Sequence, residues 1–151
     1  VSEPRQSWDP IGRFVTELGQ DARVAPIVST NPTSHPRVRG QEPGPGDAQG
    51  PDRYRAFIVI VTLATTPHPQ VPIARCRHLV RCYGRTKQEA ADLAMAASDA
   101  IHGLGPRVTG AANGIYVTHD DTGSAYSTDP DTKQPQYNFT IESVVTAQAV
   151  A

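Results

Sequence analysis

The chain has 151 residues, enough for one domain with a core of its own. Its 14 basic and 15 acidic residues leave a formal net charge of -1, which argues against nucleic-acid binding through bulk charge. Hydrophobic residues make up only 38%, beside 12 glycines and 14 prolines, so the expectation is a modest core carrying long irregular excursions.

Residues 1–7 read as a polar lead. Asp9-Pro10 then opens a helix over about 10–20, with Asp9 as the cap and Pro10 at the first helical position, where its missing N–H costs nothing. Ile11, Phe14, Val15 and Leu18 recur at helical spacing, Gly19 is a stop, and Trp8 is placed to pack back on the helix as a staple. Val24 to Val28 is apolar but interrupted by Pro26, and reads as a turn or an edge contact. Residues 29–53 are loop-like, with Pro32, Pro36, Pro43, Pro45, Pro51 and four glycines; Arg37-Val38-Arg39 is a short strand inside them. An excursion of that length is either a flexible insertion or an arm between subunits.

Tyr54 to Thr66 is the strongest strand. Phe57-Ile58-Val59-Ile60-Val61 is apolar on both faces, as in a central strand covered on each side. Pro67-His68-Pro69-Gln70 and Pro72 form the return, and Ala74 to Tyr83 completes a long hairpin. On that second strand Cys76, His78, Val80 and Cys82 face one way. Arg75, Arg77, Leu79, Arg81 and Tyr83 face the other.

The two cysteines lie on one face but ~20 Å apart along a strand, which excludes a bridge between them. The chain therefore reads as reduced and cytosolic. Cys76, His78 and Cys82, two and four residues apart on a strand, do not close a tetrahedral metal site without ligands from elsewhere. Buried thiols beside a hydrogen-bonded histidine is the reading preferred.

Thr86-Lys87-Gln88-Glu89 is a capping box opening a helix over about 87–102. Ala90, Leu93, Ala94, Ala97 and Ile101 form its apolar stripe, and its small residues let it lie close to a sheet. Gly103 ends it, with Leu104-Gly105-Pro106 preventing continuation. Arg107-Val108-Thr109 and Ile115-Tyr116-Val117-Thr118 read as short strands, separated by Gly110 and Asn113-Gly114. Asp120-Asp121-Thr122-Gly123 reads as a turn. The chain then passes Ala125-Tyr126-Ser127 to a second polar turn, Asp129-Pro130-Asp131-Thr132-Lys133-Gln134-Pro135. In the last strand Tyr137, Phe139, Ile141, Ser143 and Val145 face one way, and Asn138, Thr140, Glu142 and Val144 the other. A domain that finishes on a strand has a sheet edge to manage, which favours assembly.

The fold expected is α+β: an N-terminal helix, a mainly antiparallel β-sheet with a long hairpin, and a second helix packed on the sheet. One domain over 1–151 carries it, with no internal repeat. No apolar run reaches the ~18 residues of a membrane span, and no N-terminal signal pattern is present.

Catalytic patterns are not found. There is no Gly-x-Ser-x-Gly elbow and no paired-histidine helix motif. Gly44-Pro45-Gly46 has a proline where a phosphate loop needs N–H donors. Asp120, Asp121, Asp129 and Asp131 lack calcium-loop spacing and its closing Glu, and read as turn acids. No catalytic, cofactor-binding or metal-ligating residue is expected. The arginine face has two readings. It is either a solvated face with ion pairs to acids such as Glu142, each worth ~0.2–1 kcal/mol, or a basic stripe that a cyclic assembly would gather into a ring around DNA.

Several local signatures, in their order, resemble the tail terminator (tail completion, head–tail joining) proteins of long-tailed siphophages. They are Tyr54-Arg55-Ala56-Phe57-Ile58-Val59-Ile60-Val61, the helix entry Tyr83-Gly84-Arg85-Thr86-Lys87-Gln88-Glu89-Ala90-Ala91-Asp92-Leu93-Ala94, the Asp129 to Pro135 turn and the final strand. The resemblance spans about residues 8–148. It implies an α+β subunit of a six-fold ring on the head-proximal end of the tail tube. Such a ring stops tube growth, presents a surface to the head-to-tail connector or stopper protein, and lets genomic dsDNA pass through its lumen without sequence-specific contact. It implies no chemistry, no cofactor and no membrane, with the protein in the virion neck after assembly in the host cytoplasm. The lumen candidates are Arg75, Arg77 and Arg81. The interface candidates, toward other copies, the tail tube protein or the neck, are Arg37, Arg39, Asp129, Asp131 and Lys133, within the 29–53 and 120–136 segments. The 29–53 excursion is longer than the compact family pattern requires. Two alternatives stand beside this reading: another neck subunit, such as a head-to-tail stopper or head-closure protein, and a ligand-binding or enzyme domain using His78 and His119.

Overall fold

Backbone pairing organises the molecule around a five-stranded sheet in the order β2-β3-β4-β6-β5. Its strands are β2 (Val38–Arg39), β3 (Phe57–Pro67), β4 (Ile73–Tyr83), β5 (Ile115–Thr128) and β6 (Pro135–Thr146). A separate two-stranded ribbon pairs β1 (Arg5–Ser7) with β7 (Gln148–Val150). The helices are α1 (Ile11–Gln20), α2 (Ala25–Val28) and α3 (Lys87–Arg107). The structure, a computed structural model, describes residues 5–7, 11–29, 37–40, 56–70, 73–107, 115–129, 134–146 and 148–150. The fold is α+β, with a mostly antiparallel sheet and a helix packed on it.

The sheet's layout follows from its hairpins. The β3–β4 hairpin closes with the His68 N–H donating to the Ile73 carbonyl at 2.9 Å. The β5–β6 hairpin closes with the Asp129 N–H donating to the Gln134 carbonyl at 3.0 Å, so the polar turn is the loop between two paired strands. All these neighbours are antiparallel; only β2 runs parallel to β3, over Val38↔Ile58 and Arg39↔Val59.

One face of the sheet carries the main core. Ile58 and Ile60 of β3, Ala74, Cys76, Val80 and Cys82 of β4, and Phe139 and Ile141 of β6 pack with Phe14 and Leu18 of α1 and with the α3 stripe. Ala90, Leu93, Ala94, Ala97, Ala100 and Ile101 are all buried, and the four alanines let α3 approach the strands closely. Phe57, Val59 and Tyr83 form a second, smaller cluster on the other face, where the Phe57 and Tyr83 rings stack with centroids 4.4 Å apart. The apolar half of β3 is thus covered on both faces, while Leu63 to Pro67 are exposed.

The start of α3 shows how local sequence sets the geometry. The Glu89 N–H donates to Thr86 Oγ1 at 3.1 Å, as a capping box requires. The reciprocal bond is displaced by one residue: the Glu89 carboxylate accepts from the Arg85 N–H at 2.9 Å and from the Arg85 guanidinium at 3.1 and 2.7 Å. Gly84 precedes it, buried; a Cβ there would run into the backbone nitrogen of Ala90 and lie 2.9 Å from its Cα. Glycine is what lets β4 turn directly under α3.

The structure corrects several expectations. Val24 to Val28 is not a turn: Ala25–Val28 is a short helix, because Pro26 falls in its first turn, where the missing N–H has no intrahelical partner to lose. The second long helix does not stop at residue 102 but runs through Gly103, Gly105 and Pro106 to Arg107. A helical glycine costs only about 1 kcal/mol relative to alanine, and the turn anchored by the buried Ala100 and Ile101 carries the helix onward. Arg107 is therefore helical rather than the start of a strand. The Asp120 to Gly123 segment is not a turn either. It lies inside β5, which absorbs its surplus residues as bulges at Val117/His119, Asp120/Thr122 and Thr122/Ala125 against β6. The last strand of the main sheet is not an edge: β6 lies between β4 and β5, leaving β5 and the β3/β2 side as edges. Part of the polar lead pairs as β1. Trp8, Asp9, Pro10 and most of the 29–53 excursion lie outside the described residues.

Candidate functional site

Alternation along β4 sorts its side chains into two chemistries. Ala74, Cys76, His78, Val80 and Cys82 are buried toward the helices. Arg75 and Arg77 are exposed, and Leu79 and Arg81 half-buried, on the opposite face. The ladder extends that face across the sheet: Arg75 lies opposite Val144 and Thr66, Arg77 opposite Glu142 and Ala64, and Arg81 opposite Asn138 and Val59. The structure therefore brings the three lumen candidates together on one face of a central strand.

Arg75 makes an ion pair on this face. Arg75 Nε lies 3.2 Å from Glu142 Oε1, with the arginine side chain 72% exposed and the glutamate 18%. With the arginine so open to solvent, the pair contributes at most about 1 kcal/mol. Glu142 sits directly opposite Arg77, so its carboxylate lies within the row of arginines. Lower on the same face, Asn138 Nδ2 donates to Ser127 Oγ at 3.1 Å, while Asn138 Oδ1 and Gln136 Oε1 are buried acceptors that make no hydrogen bond among the described residues.

The interface candidates do not converge on one spot. Arg37 and Arg39, both half-buried, flank and form β2 at one side of the sheet, where the Arg37 carbonyl accepts from the Ile58 N–H at 2.7 Å. Asp129 sits in the β5–β6 turn, at the other side. Asp131 and Lys133 lie outside the described residues. Both groups belong to the same end of the sheet, because the register runs Arg39↔Val59↔Arg81↔Asn138↔Ala125 across it.

The helix side offers packing rather than reactivity. His78 is fully buried, with Nδ1 3.4 Å from Thr62 Oγ1 and its ring edge-on to Phe14 at 5.1 Å. Cys76 Sγ lies 3.9 Å from Thr65 Oγ1. Burial pushes the Cys82 thiol far above the usual thiol range, so it stays protonated. Both cysteines are free thiols. The register pairs His78 with Ile141, and His119 lies in β5 opposite Glu142, with β6 between the two strands. Among the described residues no group of three or more His, Cys, Asp and Glu is placed to hold a metal ion, and no helix is long and apolar enough to cross a membrane.

Sequence reasoning missed one feature of functional weight. Beyond Val59, β3 pairs only with β4, so its outer side from Val61 to Pro67 is an unpaired strand edge among the described residues. The available signal was the stretch Phe57–Pro67, which carries no charged residue. Comparison with known protein families gives no match, and comparison with curated proteins gives none either.

Proposed function

We propose that the chain is a structural subunit of a phage tail terminator: a ring at the head-proximal end of the tail tube that stops tube growth and joins the tail to the head connector, with DNA passing through its lumen. The observation that carries this reading is the two-sided sheet. One face is occupied by α1 and α3; the other presents Arg75, Arg77 and Arg81 in a row, with Glu142 beside Arg75. In a ring of identical subunits that row would repeat around the axis, giving a concentrated positive lining from a chain of net charge -1. Backbone phosphates would meet guanidinium groups without base readout, as passage requires. The order of the Tyr83-Gly84 helix entry, the Asp129 turn and the closing strand supports the same reading. Surface complementarity, with no chemical step, is the mechanism.

The test is growth arrest. Tail tubes polymerising in the presence of the purified protein should stop at a narrower, shorter length distribution than tubes grown alone. Tubes of unchanged length, with the protein binding instead to the head-side connector, would replace this reading with that of another neck subunit.

A further inference from the structure

The main sheet has an open edge whose geometry can be read residue by residue. Ile58 donates its N–H outward, to the Arg37 carbonyl across β2. Backbone groups in a strand alternate sides, so Ile60 and Thr62 also point outward. The register shift at Thr62/Ala64 makes Leu63 the surplus residue, which moves the outward positions to Thr65 and Pro67. The inward bond from His68 to Ile73 agrees with that phase. β2 covers this edge only at Ile58 and Val59. The remainder is a β-prone run, Val61-Thr-Leu-Ala-Thr-Thr-Pro67, with no Lys, Arg, Asp or Glu to blunt it. Natural sheets protect exposed edges with charge, proline, bulges or cover. Among the described residues, the only such devices on this stretch are the bulge at Leu63 and the terminal Pro67.

We infer that this β3 edge is the site at which a second copy of the chain adds its β5, edge to edge and head to tail. This rests on the ring reading above and names the contact that would close the ring. Three observations favour a second copy as the occupant. First, β3, β4, β6 and β5 alternate in direction, so β5 runs antiparallel to β3, and joining the β5 edge of one copy to the β3 edge of the next continues the alternation unbroken. Second, β5 has no neighbour on its outer side among the described residues. Third, the two sides carry opposite charge at the same end of the sheet: Arg37 and Arg39 beside β3, Asp129 beside β5. Such a contact is heterologous and closes into a ring when the rotation between copies allows.

The consequence for the channel is direct. Edge-to-edge joining turns the same face of every sheet inward. With the helices outside, the inner face is that of Arg75, Arg77 and Arg81, and Arg75 and Arg77 lie one strand in from the junction. Six copies would line it with about two dozen strands, and at ~4.8 Å between strands the circumference is roughly 115 Å, in the range where barrels enclose an open channel.

Thr65 gives a clean test, because its N–H points away from β4 and proline there removes no bond of the β3–β4 ladder. Thr65→Pro and its control Thr65→Ala are each imaged with tail tubes, alone and mixed equally with the unaltered chain. Thr65→Ala should form rings. Thr65→Pro should lower the ring fraction about tenfold or more. It should also suppress ring closure by the unaltered chain, since it keeps a working β5 edge and ends every open arc that it joins. Leu63→Lys, at an exposed position on the same edge, should behave as Thr65→Pro does, and covers the case in which the proline variant fails to fold. Normal rings from folded Thr65→Pro and Leu63→Lys would overturn the edge assignment and leave the ring reading standing. Folded variants that make no rings yet leave mixtures unaffected would overturn the head-to-tail pairing. Absence of rings from the unaltered chain, with bare tube ends, would remove the ring reading and this inference with it.

Discussion

Gly84 shows at the scale of one residue how the chain commits to its fold. The strand β4 passes directly under the first turn of α3, and any side chain at position 84 meets main-chain atoms of Glu89 and Ala90 that have no rotamer to yield. Gly84→Ala should therefore destabilise the protein by about 1–3 kcal/mol, as overpacking does, measured by urea denaturation. Cys82 supplies a second prediction, with a definite sign. Its thiol is buried and its pKa is raised by desolvation, while in the unfolded chain it titrates near the usual ~8.5. Below that pH both states hold the proton and the group adds no pH dependence. Above it the unfolded state releases a proton that the folded state keeps, so stability falls as pH rises. The stability advantage of the unaltered protein over Cys82→Ala should shrink between pH 7 and pH 10, read from paired denaturation curves. The capping box was legible from Thr86 and Glu89 alone. That Glu89 would reach to Arg85 instead of Thr86 was not, because it depends on how β4 delivers residue 85 to the helix.

The elements show where periodicity suffices and where pairing overrides it. β3, β4 and α3 were plain in the sequence, because each buries a continuous apolar face: Ile58 and Ile60, Val80 and Cys82, Leu93 and Ala97. The arginine row was legible for the same reason, as the other half of the β4 alternation. Asp120 to Gly123 misled because turn residues were read without their partner strand, whereas β6 holds them in a bulged ladder. Gly103 to Pro106 misled because breaker residues were weighed without the packing of the turn before them. β1, β7 and the parallel β2 contact depend on partners far away in sequence, which no local pattern reports. At this scale the arginine row carries its own prediction. The triple variant Arg75→Gln, Arg77→Gln, Arg81→Gln should fold with a loss of stability of about 1 kcal/mol, since the Arg75 side chain of the Arg75–Glu142 pair is 72% exposed, although Glu142 is only 18% exposed. It should nevertheless reduce DNA delivery by assembled particles, scored as plaque formation. Unchanged plaque formation would remove these arginines from the lumen.

At the scale of the whole molecule, the two faces differ and, among the described residues, β5 and most of β3 leave the two edges open. The helices occupy one face, the arginines the other, and the strands between the edges alternate so that copies can join without a break in pattern. A catalytic domain needs neither property; a ring subunit uses both. The sequence made the faces visible, while the edges emerged only from the strand order, in which the final long strand turns out to be interior. The most direct test of the central claim is electron microscopy of tail tubes mixed with the purified protein, with averaging of the tube ends. The expected result is a closed six-fold ring on one end of each tube, with the arginine face lining its channel and no tube growth beyond it. Bare, growing tube ends, or a ring whose arginine face points outward, would contradict it.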